Sequence, residues 1–335
     1  MRNRHLSTRA LIIILCMLAF ISLFAATLLG STTLSLKQVT SAWLYQGSAA
    51  DQLIVWQIRL PRALAAFSVG AALGLSGAAL QGLLRNPLAE PGVLGVSASA
   101  SLAATTVLYY GWVTIGFFTL PLAAISGALL ATTALVWVSW RTPSIAQLLL
   151  VGIGLSSFAA ALMALLMNIA PNPFSLAELV NWMLGSVANK SLRDLVLTLP
   201  FMCLGAAIVY TQHRGLNAMT LGEEAAIGVG VDITRLRIGI ILGTGLLTGA
   251  AVALAGAIGF VGIVAPHIIR PWVASTPSAV LLPSSLLAGC LLVIADIIVR
   301  LLPTNNELQL GVVAALMGAP LFVWIVIATS QKMRA

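Results

Sequence analysis

The sequence predicts an all-α membrane protein of about ten spanning helices with an inverted internal repeat. Three observations carry this. Of 335 residues, 60% are apolar and 8% charged, against about 25% charged in soluble chains, and the mean hydropathy is +1.04. The apolar residues form continuous runs of about twenty, the length that crosses a bilayer as a helix, without the alternation of a membrane β-barrel. A short segment of the first half recurs in the second. Such a composition excludes a soluble enzyme, a disordered chain and a secreted disulfide scaffold.

The runs are taken in order. The first, 10–30, follows Arg2, Arg4 and Arg9 and ends near Ala25-Ala26, the outline of a signal peptide. Its length of about twenty residues exceeds a signal peptide's apolar region, which favours an uncleaved span. A mixed stretch, 31–57, leads to runs at 63–84, 92–110, 115–138, 147–170, 193–211, 236–257, 258–272, 280–301 and 309–329. The 258–272 run is short and glycine-rich, so a re-entrant or buried helix is an alternative there. Together they make one transmembrane domain over 1–335.

The charges report topology. Lys+Arg is 17 and Asp+Glu is 9, a net +8. The basic residues are scattered singly between apolar runs, which fits the positive-inside rule rather than nucleic-acid binding. With both termini cytoplasmic, the inner side carries Arg2, Arg4, Arg9, Arg85, Arg141, Arg214, Arg235, Arg237, Arg270, Lys332 and Arg334, and the outer side six: Lys37, Arg59, Arg62, Lys190, Arg193 and Arg300. Cys16, Cys203 and Cys290 lie apart inside apolar runs, with no CxxC spacing, and read as core-filling residues.

The repeat aligns Val69-Gly-Ala-Ala-Leu-Gly-Leu-Ser-Gly-Ala78 with Thr248-Gly-Ala-Ala-Val-Ala-Leu-Ala-Gly-Ala257, identical at six of ten positions, and Pro87 with Pro266 at the same offset. Five spans separate the two units, so the copies would run in opposite directions, as in transporters. In the same segments Gly70, Gly74, Ala78 and Gly82, and Gly245, Gly249, Ala253 and Ala257, recur every four residues. Each set makes a ridge that lets neighbouring backbones approach closely.

No catalytic constellation is present: there is no HExxH, GxSxG or GxxxxGK[ST]. The chain therefore has no P-loop with which to hydrolyse ATP. Asp296 is the one acid well inside a run, with Arg300 one helical turn on, the spacing of a local ion pair. So few buried acids count against an ion-coupled secondary carrier, the competing class.

Three polar segments remain. Trp56-Gln-Ile-Arg59-Leu-Pro-Arg62 opens a span with two arginines three apart, where interfacial anchors also sit. Arg85-Asn-Pro-Leu-Ala-Glu90-Pro-Gly-Val-Leu-Gly95 is a stiff turn between spans. Leu221-Gly-Glu-Glu-Ala-Ala-Ile-Gly-Val-Gly-Val-Asp232 reads as a short amphipathic helix outside the bilayer, either a solvated loop or a contact surface.

On these residues the chain resembles the FecCD-type permeases of ABC importers, which carry iron–siderophores, haem and vitamin B12. The matching stretches include Arg59-Leu-Pro-Arg62, Arg85 to Ser97, Leu221-Gly-Glu-Glu-Ala-Ala226 with Gly230, Ala255-Gly-Ala-Ile-Gly-Phe-Val-Gly-Ile-Val-Ala-Pro-His267, Asp296 with Arg300, Glu307-Leu-Gln-Leu-Gly-Val312 and Gly318-Ala-Pro320. They run in family order from about residue 55 to 327.

The resemblance implies a BtuC-like permease fold, and a homodimer around one path in the bacterial inner membrane. It also implies two separate ATP-binding subunits below and a periplasmic or lipid-anchored binding protein above, with no cofactor, resident metal or nucleic acid. It matches Arg59, Arg62 and Arg300 to arginines that dock the binding protein. It matches Leu221, Gly222, Glu223, Glu224, Ala225, Ala226 and Gly230 to the helices that couple to the ATPase. Asn86 and Leu88 match the inner-gate turn. The second gate turn corresponds to Arg141-Thr-Pro-Ser-Ile-Ala-Gln147, which departs from the polar pattern of relatives and receives no gate residue. His267 belongs to the family's Pro-His pair and is expected to be structural. The expected cargo is an iron chelate, ferric siderophore or haem, with vitamin B12 as the alternative.

Overall fold

The computed structural model describes residues 7–142, 144–273, 276–302 and 307–334, with side chains to 323. Arg2 and Arg4, the side chains of Lys332 and Arg334, and Pro143 in the second gate turn lie outside the described set. Among the described residues there are helices and no strand.

The helices are α1 (Thr8–Leu28), α2 (Leu36–Trp43), α3 (Ala49–Leu53), α4 (Leu60–Leu84), α5 (Val96–Tyr109), α6 (Thr119–Arg141), α7 (Ile145–Asn168) and α8 (Pro173–Leu184). They continue with α9 (Leu192–Thr211), α10 (His213–Ala218), α11 (Glu223–Gly228), α12 (Ile233–Ala255), α13 (Val261–Ile269), α14 (Pro277–Leu301) and α15 (Leu310–Arg334). A π-helical turn, Ile54–Arg59, joins α3 to α4. Among the described residues, seven helical stretches are long and apolar enough to cross a membrane.

Each of the ten expected runs falls on a helix, and two are shorter than hydropathy suggested. At about 1.5 Å per residue, the nine residues of α13 reach less than half of a hydrocarbon core of about 30 Å. The 258–272 run is therefore an irregular stretch followed by a short buried helix. The 92–110 run likewise contains a helix of only 14 residues. Hydropathy passed over α8, twelve residues started by the Asn172 side chain, which accepts from the Ser175 amide at 2.9 Å.

Small residues set the packing. A Cβ at Gly70 would lie 2.4 Å from the Ala288 carbonyl oxygen, and one at Gly74 2.4 Å from the Ala288 side chain. Gly82 faces Pro277. This ridge therefore lies along α14, antiparallel to it. Gly245 and Gly249 face Thr132 and Ala128 of α6. Both ridges are contact surfaces between helices, as the four-residue spacing predicts.

The two copies of the repeat run in opposite directions. The end of α4 and the start of α12 both touch α10, through Gly82 against Leu216 and Leu236 against Gly215. These two helices are mostly buried, whereas α1, α7 and α9 expose most of theirs. Outward-facing residues such as Phe20, Leu130, Leu150 and Phe158 are apolar, as lipid contact requires.

The turn after α4 does not stay at the surface. Arg85 takes a left-handed conformation, φ +47°, and stops α4. The chain then turns back into the bundle, so that Gly95 packs on Gly152 of α7. Gln81 holds this turn: its Nε2 donates to the Ala89 and Gly262 carbonyls at 3.3 and 3.5 Å, and its Oε1 accepts from Arg270 at 2.6 Å.

Candidate docking and coupling sites

The expected docking arginines gather at one end of the bundle, around the C-terminus of α1. A helix leaves its last carbonyls unpaired, and here two arginines from elsewhere in the chain supply the donors. Arg59 Nη1 donates to Thr27 and Leu28 at 2.9 and 2.7 Å, and its Nη2 donates to the Thr32 carbonyl. Arg300 Nη1 donates to Ala26 and Leu29 at 2.9 and 3.0 Å. Positive charge is favourable at this negative helix end. Arg59 is 4% exposed, so its side chain is committed to this cap.

Arg62 has acidic partners instead. Its Nε donates to Asp296 Oδ1 at 2.8 Å, its Nη2 lies 2.7 Å from the same oxygen, and Nη2 also pairs with Glu307. Asp296 is fully buried. Arg300 Nε sits 3.1 Å from Asp296 Oδ2 and donates to the Asp296 backbone carbonyl at 3.4 Å. The local pair expected from the spacing of Asp296 and Arg300 is present, and Arg62 extends it. A cavity of about 270 Å³ opens beside the cluster, lined by Gly30, Thr32, Arg59, Arg62, Arg300 and Glu307.

At the opposite end stands the segment expected to couple to the ATPase. Gly222, at φ +100°, turns the chain sharply between the 3₁₀ turn Met219–Leu221 and α11, a conformation that favours glycine. Ala226 is buried and anchors α11, while Glu224, Ala225 and Gly230 are exposed. Leu221, Ile227 and Val229 are 69%, 59% and 67% exposed. Three large apolar side chains thus stand exposed on one short segment, the pattern of a surface suited to a partner.

Glu223 points inward. Its carboxylate accepts from Arg237 Nη2 at 2.6 Å, and Arg237, one turn into α12, is buried. Asp232 caps α12, accepting from the Arg235 amide at 3.0 Å. Of the two glutamates, Glu224 alone faces outward; Glu223 ties α11 to α12. Sequence reasoning missed Arg237, although an arginine inside an apolar run was the available signal.

Asn86 and Leu88 are both exposed at this end, and the Asn86 side chain accepts from the Leu88 amide at 2.9 Å. This local bond stiffens the turn.

The FecCD transport family model matches residues 15–328. The chain belongs to the FecCD transport family. It is 40% identical to the vitamin B12 import system permease protein BtuC of Klebsiella pneumoniae subsp. pneumoniae, covering 92% of this chain and 94% of that one. It is 41% identical to the uncharacterized ABC transporter permease protein YvrB of Bacillus subtilis, covering 82% and 78%. A solved structure assigned to a metal-chelate type ABC transporter, in an inward-facing conformation, superposes with a TM-score of 0.87 at 29% identity, covering 96% of this chain and 99% of that one. The protein is thus a non-catalytic, multi-pass permease subunit of an ABC importer, with ATP hydrolysis on a separate subunit.

Proposed function

We propose that this permease draws a corrinoid of the vitamin B12 type across the bacterial inner membrane, driven by ATP. The observation that carries the substrate is the similarity to a B12 permease over nearly the whole of both chains. An iron chelate is the second reading, favoured by the metal-chelate type of the solved relative. In this reading two copies form the path and both termini are cytoplasmic. The α11 end then faces two ATPase subunits, and the Arg62 end faces a binding protein.

The coupling role rests on α11. Its apolar side chains, Leu221, Ile227 and Val229, supply a face for the ATPase, with Glu224 beside them. The pair Glu223–Arg237 then passes displacement of α11 to α12, which lies at the centre of the bundle. Asn86 and Leu88 sit in the turn that closes the path at this end.

The test is reconstitution in liposomes with and without the ATPase subunits, supplying cyanocobalamin or a ferric siderophore with the matching binding protein. Uptake is expected only with ATPase and ATP, and for cyanocobalamin. Uptake driven by an ion gradient alone overturns the ATP-driven reading, and uptake of the siderophore alone moves the substrate to the second one.

Arg237→Glu is expected to lower uptake at least tenfold while ATP hydrolysis persists. The charge swap Glu223→Arg with Arg237→Glu is expected to recover part of that uptake, because it restores the pair. Uptake and hydrolysis measured together on the same proteoliposomes decide it.

A further inference from the structure

The carboxylate position on Arg62 that faces outward is already filled. Asp296 takes the inner side of the guanidinium and is fully buried, whereas Glu307 takes the outer side with its side chain 41% exposed. Arg62 itself is 11% exposed, so a carboxylate arriving from outside meets Glu307 first. Beside the cavity, Arg300 Nη2 is buried and has no hydrogen-bond partner among the described residues.

We propose that Glu307 is a built-in stand-in for a carboxylate of the docking partner, and that docking exchanges one for the other on Arg62. This rests on the docking reading given above. The exchange has a physical advantage. Asp296 holds the inner side of Arg62 throughout, and a one-for-one exchange on the outer side replaces one carboxylate by another without leaving that side of a mostly buried guanidinium empty. Charge balance points the same way. Arg59, Arg62 and Arg300 against Asp296 and Glu307 leave one net positive charge at rest. Once Glu307 swings out, the cluster presents two, matched to a partner with an acidic surface. The displaced Glu307 competes for its old place, so the complex is weaker than bare charge complementarity would make it. A binding protein that must leave after delivery needs such a limit.

The experiment measures the affinity of the transporter's own substrate-binding protein for the permease–ATPase complex in nanodiscs at low salt. Glu307→Gln is expected to tighten binding about three- to tenfold, by removing the competitor while keeping its size. Arg62→Glu is expected to weaken it, and Glu307→Gln in an Arg62→Ala background to change nothing. Asp51→Asn alters the charge of the same end equally without touching Arg62, and is expected to have a smaller effect. Glu307→Ala guards against a peculiarity of the glutamine. If Arg62→Glu weakens docking and Glu307→Gln leaves it unchanged, the exchange is overturned and the docking reading stands. If Arg62→Glu also leaves it unchanged, the docking reading itself fails. Equal tightening by Asp51→Asn reduces the effect to bulk charge and overturns the exchange as well.

Discussion

Asp296→Leu is expected to destabilise the folded permease by roughly 3–5 kcal/mol, the cost of leaving a buried charge without its partner. Asp296 is fully buried and stands between Arg62 and Arg300. Without it, Arg62 keeps only the more exposed Glu307, and Arg300 loses its only carboxylate among the described residues. Two guanidiniums of like charge then face each other across the space it vacated. Thermal unfolding of the detergent-purified protein should show the loss as a lower midpoint or as failure to accumulate. A second variant is informative: Asp296→Leu with Arg62→Leu relieves the repulsion between the two guanidiniums and should recover part of the stability, the remainder staying lost because Arg300 still lacks its carboxylate. Recovery also separates stability from docking, because the rescued protein lacks Arg62.

Gly77→Ala is expected to be at least as damaging. A Cβ at that position would lie 1.9 Å from the Gly262 carbonyl oxygen and 2.8 Å from the Gly262 Cα. Both are backbone atoms of α13, so no side chain can rotate aside. The two helices must separate, which exceeds the usual overpacking cost of about 1–3 kcal/mol. Separation also stretches the bonds that join Gln81 to the Gly262 carbonyl and to Arg270. The reciprocal change is milder: at Gly262 the nearest atom to a new Cβ is the Leu73 carbonyl oxygen, 3.0 Å away. Gly154→Ala and Gly228→Ala meet nothing within 4 Å and serve as controls. Ranking the four by retained folded protein after mild heating tests the packing directly. Equal tolerance at Gly77 and Gly154 would mean that α4 and α13 do not meet as closely as described.

Much of this was written locally in the chain. Apolar run length placed the helices, and four-residue spacing of small side chains placed the ridge from Gly70 to Gly82. The ion pair of Asp296 and Arg300 is a one-turn spacing and was equally visible. What stayed hidden depends on partners far apart in sequence. Arg300 reaches the Ala26 carbonyl across 274 positions, and nothing near either residue announces it. An arginine at a helix end looks the same in sequence whether it waits for a protein partner or caps a neighbouring helix. The depth of the turn after Arg85 was hidden for a related reason. Its prolines and glycines mark a break in α4, but only packing against α7 and α13 carries that break into the bundle. α8 was missed because twelve residues, interrupted by Glu178, are too short to read as a span.

The three bonds of Gln81 bear on how the turn after α4 can move. One side chain fastens α4, the turn that carries Asn86 and Leu88, and both ends of α13, at Gly262 and Arg270. Gln81 itself is buried, so its groups depend on these partners. The turn therefore has little freedom to flap alone. On the proposed gate role of Asn86 and Leu88, a displacement of this turn travels as a tilt of α4 and α13 together, so the moving part would be a wedge of two helices and the strap between them.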